Sequence, residues 1–310
     1  MRGRYGEVVL AASSAPSPSP DARGRPTPAA EFGLVGRIPP QTLFVLGAVS
    51  QYLGSALAVL LFDKVPAGGV AWLRVLAAAA ALAVWRRPWL SVWTAARVRL
   101  VVAFGLTLGV MNLTFYLAIA RIPLGTAVAI EFVGPIVVAA AGSRTRRDAA
   151  ALTLAVAGVL TLADVRLSSA PLGVALALAA GVCWALYIVL GHRVAREPGI
   201  RPQDGLAAGM AVGALALAPA LAPSTGGAFA APLLLAACVG VGLASSVVPY
   251  ALEQIAMRRL PRARFALLLS LLPATAAIVG AVVLGQIPRP AEAFGIVLVV
   301  AASGLRSHAG

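Results

Sequence analysis

Long hydrophobic runs alternate with short breaks that contain polar residues, glycine or proline, from about residue 40 to residue 306. Apolar runs of this length are typical of helices that cross a membrane. We predict ten spans. They cover residues 40–62, 67–85, 98–120, 122–142, 149–165, 171–191, 203–222, 229–254, 262–284 and 290–306. The pattern predicts an all-α integral membrane protein with ten transmembrane helices.

The composition supports a membrane protein. Of 310 residues, 60% are hydrophobic and only 12% are charged, and the mean hydropathy is +0.91. A soluble domain has no use for so much apolar surface. The net charge of +14 does not indicate nucleic-acid binding, because the basic residues form short clusters between hydrophobic runs. Residues 1–38 are rich in proline and serine, which predicts a disordered cytoplasmic tail.

The basic residues predict the orientation, because cytoplasmic loops of membrane proteins carry an excess of arginine and lysine. With the N-terminus inside, 20 of the 25 basic residues fall in predicted cytoplasmic segments. Four, including Lys64, fall outside, and Arg74 lies within a span. This bias predicts that both termini are cytoplasmic in a multi-pass protein of the bacterial cytoplasmic membrane.

The fourth and ninth spans share a pattern at an offset of 138 residues. The segment "RIPLGTAVAIEFVGPIVVAAAG" aligns with "RLPRARFALLLSLLPATAAIVG". The matched pairs are Arg121 with Arg259, Pro123 with Pro261, Pro135 with Pro273, and Gly142 with Gly280. Spans five apart cross the membrane in opposite directions. We therefore predict two inverted five-helix repeats, residues 39–166 and 167–310, the arrangement of many secondary transporters.

Glu131 lies near the middle of the fourth span. A carboxylate at the bilayer centre costs on the order of 2–3 kcal/mol, so it normally faces the bundle interior and marks a transport pathway. Pro135 removes the helical hydrogen bond to the carbonyl of Glu131 itself. Gly134 leaves room beside it, and Pro273 is the equivalent helix-breaking position in the ninth span. A low dielectric disfavours a charged carboxylate, so Glu131 is a candidate proton-coupling residue; a structural hydrogen bond is the alternative.

Other polar side chains inside spans are candidates for substrate binding, although small and polar residues at helical spacing also serve close helix packing. The candidates are Ser50, Gln51, Arg74, Asn112, Tyr116, Glu131, Trp184, Tyr187 and Tyr250. Arg74 has three interpretations: a pair with Glu131, a site for a substrate carboxylate, or a side chain that reaches the outer interface. We interpret Glu253 as an interfacial charge contact near Arg258 and Arg259.

The sequence predicts neither an enzyme nor a cofactor or metal site. It contains no phosphate-binding loop, no GxSxG nucleophile motif and no HExxH motif. Cys183 and Cys238 lie inside apolar runs, and the two histidines, His192 and His308, lie at a span end and near the C-terminus. The expected partners are a small-molecule substrate and membrane lipids. The sequence leaves open a homodimer through the short fifth and tenth spans.

Two segments resemble a known family. "FYLAIARIPLGTAVAIEFVGPIVVA" and "SSVVPYALEQIAMRRLPRARFALLLSLLPA" are similar to signatures of threonine/homoserine exporters, which are EamA-type members of the drug/metabolite transporter superfamily. The resemblance covers about residues 40–306. It implies export of small amino acids from the cytoplasm, driven by the proton gradient and without a prosthetic group. By motif position it carries over Glu131, Gly134, Pro135, Tyr250, Glu253 and Pro273.

The chain departs from this pattern at two positions. Members of the group often have an acidic residue before the ninth-span proline, where this chain has Leu272, and many end that span with "LGE", where it has Gln286. We expect the loss of a carboxylate beside the cavity, which leaves Glu131 as the sole deeply buried acid. These departures bring the substrate into question.

Three functional hypotheses follow from the sequence. The first is a secondary active transporter that exports threonine- or homoserine-like amino acids by alternating access and proton antiport. The second is an exporter of lipophilic cations or drug-like metabolites, since a membrane carboxylate near aromatic side chains can bind a cation. The third is a membrane scaffold or lipid-binding protein, which explains the hydrophobicity but neither the repeat nor the buried acid.

Overall fold

The chain folds into helices, and the part that the structure describes contains no strand. The structure is a computed structural model that describes residues 38–307, apart from residues 87, 91–92, 142–144, 168, 261–264 and 266–267. The predicted tail, except for Ile38, therefore lies outside the described residues. So do Gly142 and Pro261 of the predicted repeat and His308.

The α-helices occur in the order expected from the hydrophobic runs. They are α1 (Pro40–Val59), α2 (Ala67–Arg86), α3 (Ala95–Ile119), α4 (Leu124–Glu131), α5 (Val133–Ala141), α6 (Arg146–Leu167), α7 (Pro171–Arg196), α8 (Pro202–Leu221), α9 (Gly226–Ala230), α10 (Pro232–Gly242), α11 (Val248–Arg259), α12 (Leu272–Leu284) and α13 (Pro290–Ser307). Short 3₁₀ turns cover Pro88–Leu90 and Ala222–Thr225, and a π-helical turn, Leu243–Val247, joins α10 to α11.

Six helical segments of the described chain are long and apolar enough to cross a membrane. Four shorter apolar segments are Leu124–Val138, Ala149–Leu162, Leu272–Leu284 and Pro290–Leu305. Each of the ten predicted spans overlaps one of these ten segments. The structure is that of a multi-span helical membrane protein. The number of ten transmembrane helices remains a prediction, because the four short segments fall below the usual length of a membrane span.

Prolines coincide with interruptions in the helices. Pro135 has no N–H for the carbonyl of Glu131, and α4 ends at Glu131 while α5 begins at Val133. Pro273 lies in the first turn of α12, which begins at Leu272. Pro249 follows the π-helical turn that links α10 to α11. Interruptions of this kind place polar backbone groups in the interior of the protein.

The described residues from Pro40 onward form one compact unit in which the predicted halves interleave. Helix α1 packs against α11 and α12, α3 packs against α7 and α8, and α4 packs against α7 and α12. Helix α2 packs against α8, and α6 packs against α13. The middle sections of α1, α2, α3, α4, α7 and α11 consequently surround one central region.

Close contact between α5 and α7 depends on two glycines. A Cβ atom at Gly134 would overlap the carbonyl oxygen of Gly181, and one at Gly181 would lie 2.8 Å from the carbonyl oxygen of Glu131. Small residues at such crossings allow helix backbones to meet inside membranes. This contact fixes the position of the broken helix that carries Glu131.

We expect Gly134→Ala to lower the free energy of unfolding by about 1–3 kcal/mol, because the new methyl group meets backbone atoms that cannot move aside. Thermal unfolding in detergent measures the effect. Gly240→Ala in α10 is the matched control, since no atom lies within 4 Å of its added Cβ. Equal stability of the two variants would contradict the close-contact interpretation.

Candidate functional site

A central cavity of about 690 Å³ lies where these helices meet. Its volume is within the range of about 300–1,000 Å³ that small-molecule sites occupy. It is lined by six of the predicted substrate-binding residues: Gln51, Arg74, Asn112, Glu131, Trp184 and Tyr187. They come from five helices, α1, α2, α3, α4 and α7. The sequence separates these side chains widely, and the fold brings them to one cavity.

Glu131 contributes a carboxyl group to this cavity. It ends α4 at the interruption caused by Pro135, which also lines the cavity. The residue is only 8% exposed. Its side chain makes no ion pair or hydrogen bond with any residue that the structure describes. A buried carboxyl group with no protein partner is available to a proton or to a cationic ligand.

Arg74 faces the same cavity from α2 and is anchored to the second half of the chain. Its Nη2 group donates to the carbonyl oxygen of Ser245 at 2.9 Å, and its Nε group donates to Ser246 Oγ at 3.0 Å. Pro249 leaves the Ser245 carbonyl without its usual helical donor. The guanidinium group supplies that donor at membrane depth, where an unsatisfied carbonyl is unfavourable.

These contacts decide among the interpretations of Arg74. The residue is 8% exposed and is bonded to the interior, so it does not reach the outer interface, and it makes no salt bridge with Glu131. Its Nη1 group has no hydrogen-bond partner among the described residues. One guanidinium nitrogen thus remains for a ligand in the cavity.

Three predicted binding residues lie beside the cavity rather than on its wall. Ser50 donates to the carbonyl oxygen of Ala244 at 2.7 Å and joins α1 to the π-helical turn. Tyr116 is fully buried, and its ring lies 5.1 Å from the Arg74 guanidinium carbon. Tyr250 lines an adjoining cavity of about 150 Å³, which shares Gln51 and Arg74 with the larger one. Ser50 and Tyr116 therefore support the site from behind.

Glu253 lines both cavities. The interpretation of this residue as an interfacial charge contact near Arg258 and Arg259 therefore gave it the wrong position. Glu253 makes no salt bridge with a residue in the described part of the chain. The sequence did contain a signal for this position. Glu253 lies three residues after Tyr250 and four after Pro249, so the three residues share one face of a helix.

Glu131 is accordingly not the sole deeply buried acid. Glu292 is fully buried away from the cavity and accepts a 2.6 Å hydrogen bond from Arg166 Nε, while Glu253 in the cavity is half-buried. Glu292 is paired, whereas Glu131 and Glu253 have no such partner among the described residues. The two cavity carboxyl groups are therefore the ones free to exchange protons or bind cations.

The two departures from the exporter pattern have different positions. Leu272 lines the cavity and is 3% exposed. Gln286 Oε1 instead accepts a 2.9 Å hydrogen bond from the Leu124 N–H and caps the first turn of α4. The position before the ninth-span proline therefore borders the cavity, whereas the amide oxygen of Gln286 satisfies a helix N-terminus.

Comparisons with known proteins identify the family. The chain is 36% identical over 267 residues to the threonine/homoserine exporter RhtA of Escherichia coli K12, with 85% of this chain and 90% of that protein covered. The RhtA protein of Salmonella typhimurium LT2 matches with the same identity and coverage. Residues 171–306 match the EamA-like transporter family. The chain belongs to the EamA-like transporter family.

A solved crystal structure has a similar fold, with a TM-score of 0.55 and 21% identity over 86% of this chain and 96% of that chain. This likeness concerns the fold alone. As an EamA-type drug/metabolite transporter, the chain is a transporter rather than an enzyme or a scaffold. Its membrane helices and its bacterial relatives together indicate a multi-pass protein of the bacterial inner membrane.

We expect Arg74→Lys to destabilise this EamA-type protein by about 1–3 kcal/mol, because a single ammonium group cannot reproduce the guanidinium fork that reaches Ser245 and Ser246. Thermal unfolding in detergent, combined with Ser246→Ala in a double-mutant cycle, should give a coupling energy of about 0.5 kcal/mol or more.

Arg121→Lys is the matched control for this cycle, since Arg121 donates to the Leu117 carbonyl oxygen at an exposed position. We expect it to leave the unfolding temperature nearly unchanged. Additive effects of Arg74→Lys and Ser246→Ala would show that the contact between Arg74 Nε and Ser246 Oγ contributes no stability.

Proposed function

We propose that the protein exports small α-amino acids such as threonine and homoserine, in exchange for protons, by alternating access. The observation that carries the proposal is the chemistry of the central cavity. An unpaired carboxyl group, Glu131, and a guanidinium group with a free nitrogen, Arg74, line the same cavity. The relatives named as threonine/homoserine exporters support amino acids as the substrate class.

A zwitterion suits these two groups. An α-amino acid carries a carboxylate and an ammonium group close together at neutral pH. The carboxylate would bind the free Nη1 of Arg74, because a buried guanidinium favours carboxylate partners. The ammonium group would bind Glu131, and Asn112 and Gln51 line the cavity as further polar contacts. A neutral solute would offer an opposite charge to neither group.

Competition at Glu131 would couple the fluxes. The carboxyl group binds either a proton or the substrate ammonium group. The two states exclude each other because a protonated carboxyl group is neutral and no longer attracts the ammonium charge. A proton that enters from outside would displace the amino acid to the outside, and loss of that proton to the cytoplasm would prepare the site for the next substrate. Glu253 lines the same cavity as a second carboxyl group.

The packing supports two inverted repeats, residues 39–166 and 167–310. In these repeats α1 would correspond to α7, and α3 would correspond to the segment formed by α10 and α11. The contact between α1 and α11 is then the counterpart of the contact between α7 and α3. The remaining counterparts pack against each other, as α2 on α8, α4 on α12 and α6 on α13. Interruptions near Pro135 and Pro273 agree with the same correspondence.

The cavity lining extends from the middle of the helices to their arginine-rich ends. His192 lies one turn before the end of α7, next to Arg193 and Arg196, and lines the cavity together with Glu253. The arginine-rich ends are the cytoplasmic ones under the N-in, C-in orientation. With this orientation, the lining at these ends supports a route by which substrate would enter the cavity from the cytoplasm.

We expect Glu131→Gln to reduce amino-acid efflux driven by a pH gradient to background, because the amide neither carries a proton nor binds an ammonium group. Flux of threonine and homoserine from proteoliposomes, with and without the gradient, measures this. Glu197→Gln is the control, since that carboxylate pairs with Arg97 at 3.4 Å at the arginine-rich end, away from the cavity. Undiminished efflux by folded Glu131→Gln would refute the coupling role.

Export of lipophilic cations is the second candidate function. It is favoured by the aromatic pair next to Glu131, in which the rings of Phe132 and Trp184 lie 5.2 Å apart. In that case a quaternary ammonium dye should compete with protons for the wild-type protein but not for Glu131→Gln. Absence of dye binding at any pH would eliminate this function.

A further inference from the structure

The central cavity contains a second carboxyl group to which the proposed function gives no task. Glu253 lines this cavity from α11 and also lines the adjoining cavity of about 150 Å³. The residue is half-buried and makes no ion pair or hydrogen bond with any residue that the structure describes. Arg74 and Glu131 are sufficient to hold the two charges of a zwitterion. A carboxyl group at membrane depth without a structural contact calls for a functional explanation.

Glu253 lies nearer to the arginine-rich ends of the helices than Glu131 does. With a rise of 1.5 Å per helical residue, Glu253 lies about 9 Å from the end of α11, and Glu131 lies about 15 Å from the end of α5. His192 also lines the cavity and lies about 6 Å from the end of α7. Under the N-in, C-in orientation these ends are cytoplasmic. The cavity therefore presents ionisable groups in series from the middle of the membrane towards the cytoplasm.

Tyr52 lies near both carboxyl groups. It lines the same cavity from α1, which packs against the helix that carries Glu253. The residue is 2% exposed, and its hydroxyl group makes no hydrogen bond with a residue in the described part of the chain. This hydroxyl group interacts electrostatically with Glu131 and with Glu253. A phenol donates one hydrogen bond and accepts another, so Tyr52 can link a protonated carboxyl group to an ionised one.

The other groups in the lining are poorer partners for a proton from Glu131. The titratable and charged side chains that line the two cavities with Glu253 are Tyr52, Arg74, Glu131, Tyr187, His192 and Tyr250. The described lining residues of α3, α8 and α12 are uncharged. Arg74 keeps its proton at all physiological pH values. Glu253 has the same intrinsic proton affinity as Glu131 and is the matched acceptor.

We propose that Glu253 receives the proton that Glu131 gives up when a substrate ammonium group arrives, with Tyr52 as the link, and then releases it to the cytoplasm. The inference rests on the proposed export function and adds the route of the proton. The carboxyl group of Glu131 gives its proton to the Tyr52 oxygen, while the hydroxyl proton of Tyr52 passes to the carboxylate of Glu253. Tyr52 is unchanged, Glu131 becomes the carboxylate that binds the ammonium group, and Glu253 loses its proton to water. The proton thus leaves without crossing the position that the ammonium group occupies.

Two modes of transport in proteoliposomes test this route. Efflux of labelled threonine driven by a pH gradient requires release of the proton on the cytoplasmic side. Counterflow, the exchange of labelled for unlabelled threonine at equal pH, uses only the substrate-loaded protein. We expect Glu253→Gln to lower gradient-driven efflux at least about tenfold and to retain counterflow, because an amide accepts no proton.

Two further variants of acidic residues serve as comparisons. Glu253→Asp keeps a carboxyl group and should restore part of the gradient-driven efflux. Glu197→Gln is the matched control, since that carboxylate pairs with Arg97 away from the cavity, and both modes should persist.

The outcomes separate this inference from the proposed function. Absence of gradient-driven efflux in the folded wild-type protein would overturn both. Efflux by the wild type with undiminished gradient-driven efflux by Glu253→Gln would overturn the proton route alone. Loss of both modes in folded Glu253→Gln would also overturn it, because Glu253 would then bind the substrate.

A second position guards against failure of Glu253→Gln to fold. Tyr52→Phe removes only a hydroxyl group that has no hydrogen-bond partner among the described residues, so the fold should persist. We expect gradient-driven efflux to fall by about a factor of ten and counterflow to continue. Gradient-driven efflux equal to that of the wild type would overturn the link through Tyr52.

Discussion

A backbone carbonyl that loses its helical hydrogen bond inside a membrane must find another donor within the protein. Pro249 creates such a carbonyl at Ser245, and Arg74 satisfies it from the other half of the chain at 2.9 Å. The bond joins α2 to the π-helical turn and holds a guanidinium group at the centre of the molecule. The charge of the cavity wall thus depends on a proline in one half and an arginine in the other.

A second proline creates the carboxyl side of the cavity. Because Pro135 interrupts the helix, α4 ends at Glu131, and Gly134 lets the continuing helix press against Gly181 of α7. The carboxyl group then faces the cavity without a protein partner, although its charge is expensive there. Glu292, which is buried away from the cavity, is paired with Arg166 and links α6 to α13. Glu131 has no such structural contact among the described residues.

The two broken helices and their arginine give the cavity an uneven chemistry that suits a transporter. The lining combines charged groups, Arg74 and Glu131, with apolar side chains, among them Leu272. Membership of the EamA-like family supplies the class of function, while the departure from the exporter pattern at Leu272 lies at the cavity itself. Gln286, the other departure, caps a helix and leaves the cavity unchanged.

The sequence determined the helical membrane fold, the positions of the interruptions and the burial of Glu131 at one of them. Long apolar runs, prolines within them and a charge at membrane depth each have a strong local energetic consequence. Tertiary structure alone decided which side chains line the cavity. Ser50 and Tyr116 pack behind it, whereas Glu253 and Leu272 line it. Lipid-facing and protein-facing sides of a membrane helix are both apolar, so hydrophobic periodicity does not reveal which faces meet.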